Sequence, residues 1–220
     1  MSRVVEFSKA GGPEVLSFKN VDVPEAGPGQ VRIRVKAIGL NRAESMWREN
    51  KYIEPVQFPA RLGYEAVGTV DSVGKDVTTF AVGDEVNTIP SFSMNQYGMY
   101  GEVVLAPIHA VVKHPKGLSP VEAASIWMMF ITAYGALSDQ VTTVPVLDLI
   151  GKIITIKGHN IWLTSGNPAR QKTAVDFVII GLEKGTLKPI IDRVFAFDEI
   201  VDAHRYLENN AQFGKIVATV

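Results

Sequence analysis

The segment from Arg61 to Val86 constrains this chain most, because it must form strand while being interrupted by glycine at Gly63, Gly68, Gly74 and Gly83. Val67, Thr69, Asp71 and Val73 fall on one side of such a strand, and Gly68, Val70 and Ser72 on the other. Apolar residues on both sides predict a strand buried on both faces for part of its length. Glycine inside a strand marks a bulge, a sharp corner or close approach of another backbone. A short twisted barrel needs such interruptions, since its strands bend hard to close. Gly83-Asp84 then turns the chain into a further β segment, Glu85 to Ile89.

The flanking sequence continues this pattern. Arg3 to Phe7 and Val15 to Val21 flank Gly11-Gly12-Pro13 and read as a β-hairpin. Val31, Ile33 and Val35 alternate with Arg32, Arg34 and Lys36, a strand with one wet face. A short helix is expected over Arg42 to Asn50, and Gly98 to Val104 and Ala110 to Lys113 extend the β region around a polar loop, Pro90 to Tyr97. Ser119-Pro120-Val121-Glu122 is a capping box with proline at the first helical position, predicting one helix to about Leu137. Beyond it, Val144 to Ile156 is rich in branched apolar residues, and Ile153 to Lys157 reads as a strand. Asn167-Pro168 opens a helix to about Lys184 with Ala174, Phe177, Val178 and Leu182 as its apolar side. Ile190 to Phe197, a helix from Glu199 to Asn209 and a last strand from Gly214 to Val220 complete the chain.

Composition excludes several functions. With 22 basic and 23 acidic residues among 220, the net charge of −1 leaves no footprint for nucleic acid or an anionic membrane. Absence of cysteine removes disulfides, thiolate nucleophiles and cysteine-containing zinc sites. His109, His114, His159 and His204 show no metal spacing. No apolar leader and no run of about 18 apolar residues occurs, so a soluble, cytoplasmic protein is expected.

Four blocks carry a family resemblance: Ala37-Ile38-Gly39-Leu40-Asn41-Arg42-Ala43-Glu44, Gly63-Tyr64-Glu65-Ala66-Val67-Gly68-Thr69-Val70, Gly83-Asp84-Glu85-Val86 and Phe213-Gly214-Lys215-Ile216-Val217. Together they resemble the medium-chain dehydrogenase/reductase superfamily, in particular its zinc-free, NADPH-dependent quinone oxidoreductase branch. The resemblance implies a mixed α/β, mainly β fold. A chaperonin-10 (GroES)-like twisted β-barrel catalytic domain would cover residues 1–137 and 188–220. Residues 138–187 would be a short remnant of a Rossmann domain, with a strand from Ile153 to Ile161 pairing in a homodimer.

The resemblance also implies a site. Zinc enzymes of the superfamily carry cysteine where Asn41 stands and a His-Glu pair at Tyr64-Glu65, so no zinc is expected. The zinc-free branch places asparagine at Asn41 near the nicotinamide and substrate carbonyl, a tyrosine at Tyr52, and a threonine at Thr132 beside the nicotinamide. Met46 replaces a tyrosine common in the branch. Lys215 matches a cation near a cofactor phosphate in some relatives. Taken alone, the residues leave other readings open. Asn41 reads equally as a turn residue or helix cap. Tyr52 suits packing, and Thr132 can bond to its own helix backbone. Glu65 can pair with Arg61 or Arg42, and Lys215 can be a solvated strand residue.

One element of the family is missing. A dinucleotide fold needs a strand, a glycine-rich turn and a helix whose N-terminus meets the pyrophosphate. Gly135, Gly151, Gly158 and Gly166 fit no such motif, and the 29 residues between Leu137 and Asn167 fall short of the roughly one hundred that two βαβαβ halves require. The expectation is a catalytic domain joined to the tail of its cofactor domain at Tyr134 to Ser138. NADP(H) would then be bound weakly or not at all, and the chain alone would be inactive. The complete form would reduce a quinone or an α,β-unsaturated carbonyl (enone). The alternative is a non-catalytic barrel scaffold or self-associating binding domain.

Overall fold

The computed structural model describes residues 1–137 and 161–220. The expected Ile153 to Lys157 strand, the Val144 to Ile156 apolar run and nearly all of the expected dimer segment lie outside these residues. No described helix is long and apolar enough to cross a membrane.

Strand β3 (Gln30–Leu40) is the spine. Val31, Ile33, Val35 and Ala37 point inward as their alternation requires, and from Ala37 to Leu40 both faces are buried. The wet face is stitched by cross-strand ion pairs: Asp71 accepts from Arg32 Nε at 2.6 Å and from Arg34 Nη2 at 3.1 Å. Lys36 Nζ reaches Glu85 at 2.7 Å. One edge of β3 pairs along its length with β4 (Glu65–Val73). The other edge is shared: Gln30 to Arg34 pair with β6 (Val103–Pro107), and Ala37 to Leu40 with β9 (Lys215–Thr219). Beyond β4 lie β5 (Glu85–Thr88) and β7 (Val111–Lys113), and beyond β9 lies β8 (Ile191–Ala196). A separate hairpin joins β1 (Ser2–Glu6) to β2 (Ser17–Val21).

Among the described residues the expected closed barrel is not formed. The seven-stranded sheet runs β7-β5-β4-β3-β9-β8 with β6 as a branch from β3. The edge of β3 that would continue around a barrel is split between β6 and β9, so the sheet forks instead of closing. The described β pairing of the β1–β2 hairpin with the remainder is limited to the isolated bridges Val4 to Gly101 and Phe7 to Ala60, while the Arg3 side chain bonds Glu102 and Asp198. The β region expected from Gly98 starts only at Val103, leaving Gly101 in an isolated bridge.

The short helix α1 (Arg42–Arg48) follows β3 directly. The helix expected from Ser119 to Leu137 is two helices, α2 (Pro120–Ala123) and α3 (Trp127–Leu137). The capping box at Ser119 and Glu122 is present as expected. The break after Ala123 has a distant cause: the first N–H groups of α3, those of Trp127 and Met128, point at Glu65 Oε1 at 2.6 and 3.1 Å. A buried carboxylate thus gives α3 its own N-terminus. After α4 (Trp162–Ser165) comes α5 (Pro168–Glu183), capped by Asn167 Oδ1. Ala174 and Val178 of α5 are buried, but Phe177 is 47% exposed, correcting its place on the apolar side. Its ring lies 5.1 Å from Tyr134, so it packs along the neighbouring helix at the surface.

Parallel strands β8 and β9 are connected through α6 (Ile200–Glu208). Helix α6 is locked to α1 by the buried Arg48, which bonds Gly11 O at 2.9 Å, His204 Nδ1 at 3.1 Å and the Glu208 carboxylate. Burial first, and then the Arg48 charge, depress the His204 pKa to about 3, so it sits neutral and accepts from the guanidinium at Nδ1.

The tightest joint is at Gly39. A Cβ there would lie 1.9 Å from Ala124 O and 2.9 Å from Glu65 Oε2, so only glycine lets the end of α2 sit on β3. Gly39→Ala is expected to destabilise the fold by about 2 kcal/mol or more through forced separation of α2 from the sheet. Urea unfolding followed by tryptophan fluorescence checks this, and an unchanged midpoint would contradict the packing described.

Candidate functional site

Three strand ends meet where β3 gives way to α1. In register, Gly39 opposes Glu65 on β4 and Val217 on β9, which places Asn41, Glu65 and Lys215 at one point. Glu44 enters from the first turn of α1.

Asn41 is the N-cap residue of α1, and its backbone N–H donates to Glu44 Oε2 at 2.8 Å. Its carboxamide turns inward: Oδ1 accepts from the Lys215 ammonium, and Nδ2 donates to Glu65 Oε2 at 3.2 Å and to Gly39 O at 3.3 Å. Lys215 Nζ also donates to Leu40 O and to Glu65 Oε2, each at 3.1 Å. Glu65 is saturated: one oxygen takes the two α3 N–H groups, the other takes Asn41 and Lys215. Asn41 and Lys215 are 9% and 8% exposed, and Glu44 and Glu65 are fully buried.

The electrostatics follow from this burial. One cation, Lys215, faces two buried carboxyls. Glu44 accepts from the Asn41 and Tyr64 N–H groups, the latter at 3.2 Å, yet burial dominates and lifts its pKa to about 7. Lys215 pulls it back down and Glu65 pushes it further up. Near neutral pH a proton is therefore shared between Glu44 and solvent, and the protonated form leaves Lys215 and Glu65 as a matched pair.

The expected site residues are only partly gathered. Asn41 and Lys215 touch. Lys215 is enclosed, with its ammonium bonded to Leu40, Asn41 and Glu65. Glu65 pairs with Lys215, and not with Arg61 or Arg42 as the sequence left open. Arg42 instead caps α6 at Leu207 O, 2.8 Å away. Tyr52 is half-buried with its ring 6.3 Å from that of Tyr64, one residue from Glu65. Burial, and then the nearby Glu44, raise the Tyr52 pKa, so its phenol stays protonated. Thr132 stands on the exposed face of α3, where its hydroxyl donates to Met128 O at 2.5 Å. It joins the cluster only through the helix whose start Glu65 holds. Sequence reasoning did not single out Glu44 or the α3 N–H groups. The signal for Glu44 was its position three residues after Asn41, the capping-box spacing.

Among the described residues no group of three or more His, Cys, Asp or Glu could hold a metal ion. Glu65 has no lone pair to spare for one. The described residues also do not fit the pyrophosphate of a dinucleotide. Lys215 is the cation nearest the cluster, and it is buried in protein contacts. Among the described residues no glycine-rich strand-to-helix turn accompanies it.

Residues 27–116 match the alcohol dehydrogenase GroES-like domain family. The quinone oxidoreductase of Pseudomonas aeruginosa is 35% identical over 132 residues, 60% of this chain and 39% of that protein. The structure of human synaptic vesicle membrane protein VAT-1 homolog-like protein aligns with a TM-score of 0.84 at 20% identity, covering 100% of this chain and 98% of that one. Escherichia coli quinone oxidoreductase complexed with NADPH aligns at 0.83 and 17% identity, covering 100% of both chains. These two structures share the fold. The chain spans about two fifths of the length of the curated quinone oxidoreductases it matches, 39% and 41% in two cases.

The shifted carboxyl gives a test. A folded-state pKa of about 7 against an unfolded 4.5 means that Glu44 favours folding below pH 4.5 and loses that contribution as pH rises through 7. Glu44→Gln mimics the protonated form. Its stability relative to wild type is expected to improve by about 2–3 kcal/mol between pH 4.5 and 8.5. Urea titrations of both proteins across that range measure the difference, and a difference independent of pH would contradict the assignment.

Proposed function

The chain belongs to the medium-chain dehydrogenase/reductase superfamily, and from that premise we propose that it is the catalytic-domain portion of a zinc-free quinone oxidoreductase-type fold. In its complete form the activity is reduction of a quinone or an α,β-unsaturated carbonyl with NADPH. Residues 1–137 and 188–220 form the catalytic domain, and 138–187 are what remains of the cofactor domain. The observation that carries this reading is the Asn41–Glu65–Lys215 cluster at the β3–α1 corner, where Asn41 and Glu65 belong to the family-matched residues 27–116 and Lys215 reaches them from the last strand. It fixes the Asn41 carboxamide; in the complete form we assign Tyr52 and Thr132 to the substrate and nicotinamide pocket.

Hydride transfer is cofactor chemistry, for which the protein supplies binding and orientation. The described residues supply a rigid platform and no pyrophosphate cradle. We therefore assign this chain, on its own, weak or no NADPH binding and essentially no reductase activity. A homodimer through the Ile153 to Ile161 segment and a cytoplasmic location complete the proposal. A second reading, a barrel-derived scaffold that self-associates, is favoured by the same commitment of Lys215 and Glu65 to internal contacts.

Titration of the purified chain with NADPH, following nucleotide fluorescence and quenching of Trp47, Trp127 and Trp162, tests the assignment of weak or no cofactor binding. The expectation is no saturation up to about millimolar nucleotide. Saturable micromolar binding would overturn the assignment of an inactive chain.

A further inference from the structure

A cleft of about 620 Å³ opens beside the end of β1 and the 57–61 link. It shares no lining residue with the Asn41 cluster, and its size is that of a small-molecule site. Its polar lining includes Glu6, Asp22, Gln57, Arg61, Gln96 and Tyr97.

Two of these are placed by the backbone. Phe7 and Ala60 exchange both of their backbone hydrogen bonds, at 3.0 and 2.9 Å, in an antiparallel bridge. Glu6 and Arg61 are the next residues outward on the two strands, so they flank that bridge as cross-strand neighbours. Opposite charges so placed ordinarily close on each other. Here no ion pair joins them, and neither side chain has an ion pair or hydrogen bond with any other described residue. An acid and a base thus stand side by side at the cleft, each with its bonding capacity unused.

Of the other polar lining residues, Asp22 pairs with the N-terminal ammonium, and the amides of Gln30 and Asn95 are engaged at both ends, but three keep capacity to spare. Gln57 and Gln96 use their backbone N–H groups, toward Asn95 Oδ1 at 2.8 Å and Ser93 O at 3.1 Å, while their side-chain amides bond to no described residue. Tyr97 accepts from Gln30 Nε2 at 3.1 Å and keeps its own O–H to donate. Gly98 packs against Arg61: a Cβ there would come within 2.4 Å of Arg61 Cβ, so a glycine is needed to seat the arginine in the wall.

We propose that this cleft binds a zwitterionic α-amino acid with a polar side chain, its carboxylate on Arg61 and its ammonium on Glu6. An α-amino acid carries its two charges on adjacent groups, matching neighbours on paired strands. The Arg61 fork suits a carboxylate. Gln57, Gln96 and Tyr97 offer both donors and acceptors to a polar side chain. A polyanion is disfavoured by Glu6 and Asp22 in the same cleft.

The test is titration of the full 220-residue chain with L-glutamine, followed by amide-resolved NMR and calorimetry. The expected result is saturable binding with Kd of about millimolar or tighter, with the Gln57 and Gln96 signals moving. N-acetyl-L-glutamine lacks the cation and L-glutaminamide lacks the anion, and each is expected to bind about tenfold or more weakly. Arg61→Gln and Glu6→Gln are each expected to lose about tenfold. Neither side chain holds the fold together, so both variants should keep the parent NMR spectrum outside the cleft. Absence of saturation up to about 20 mM, equal binding of the blocked analogues, or unchanged binding by Arg61→Gln in a folded variant would each overturn the proposal.

Discussion

A carboxylate taken wholly out of water must be neutralised and fully hydrogen-bonded, and Glu65 imposes that requirement on the whole molecule. Lys215 supplies the charge from a position 150 residues away, which ties the last strand to the middle of the chain. Two N–H groups of α3 supply the remaining bonds on the other oxygen and so decide where that helix begins. Asn41 bridges acid and base, which sets the corner where β3 ends. Loss of one partner would leave a buried charge uncompensated, typically a cost of about 3–5 kcal/mol.

The same cluster shapes what the protein can do. It holds an asparagine carboxamide with both ends engaged, a platform rather than an acid, a base or a metal site. Glu44 changes charge near neutral pH because burial lifts its pKa to about 7, and the nearby cation Lys215 is already bonded to Glu65. That arrangement accords with the proposed function, in which a cofactor brings the chemistry and the protein holds groups in place.

Much of this architecture was legible in the sequence wherever local periodicity decided it. The alternation of Val31, Ile33 and Val35, the Ser119 capping box and the Asn167-Pro168 helix start each depend on neighbours a few residues apart. What escaped depended on distance. The split of one β3 edge between β6 and β9 leaves no mark on β3 itself, so an open, forked sheet read as a closed barrel. The break between α2 and α3 comes from Glu65, far upstream of a sequence that looks continuously helical. The partner of Glu65 was sought at Arg61 and Arg42 because they are near in sequence, whereas strand register delivers Lys215. Asn41 was visible as a cap and through the family pattern, but its lock to Lys215 required the third dimension.

The most direct measurement of this account is a double-mutant cycle on Glu65→Gln and Lys215→Met, read by urea unfolding at pH 7. The account predicts that each single variant loses about 3 kcal/mol or more, and that the double variant loses clearly less than the sum, because removal of both charges leaves neither unpaired. Additive losses would mean that the two residues act independently and that the buried pair is not what joins the last strand to the centre of the fold.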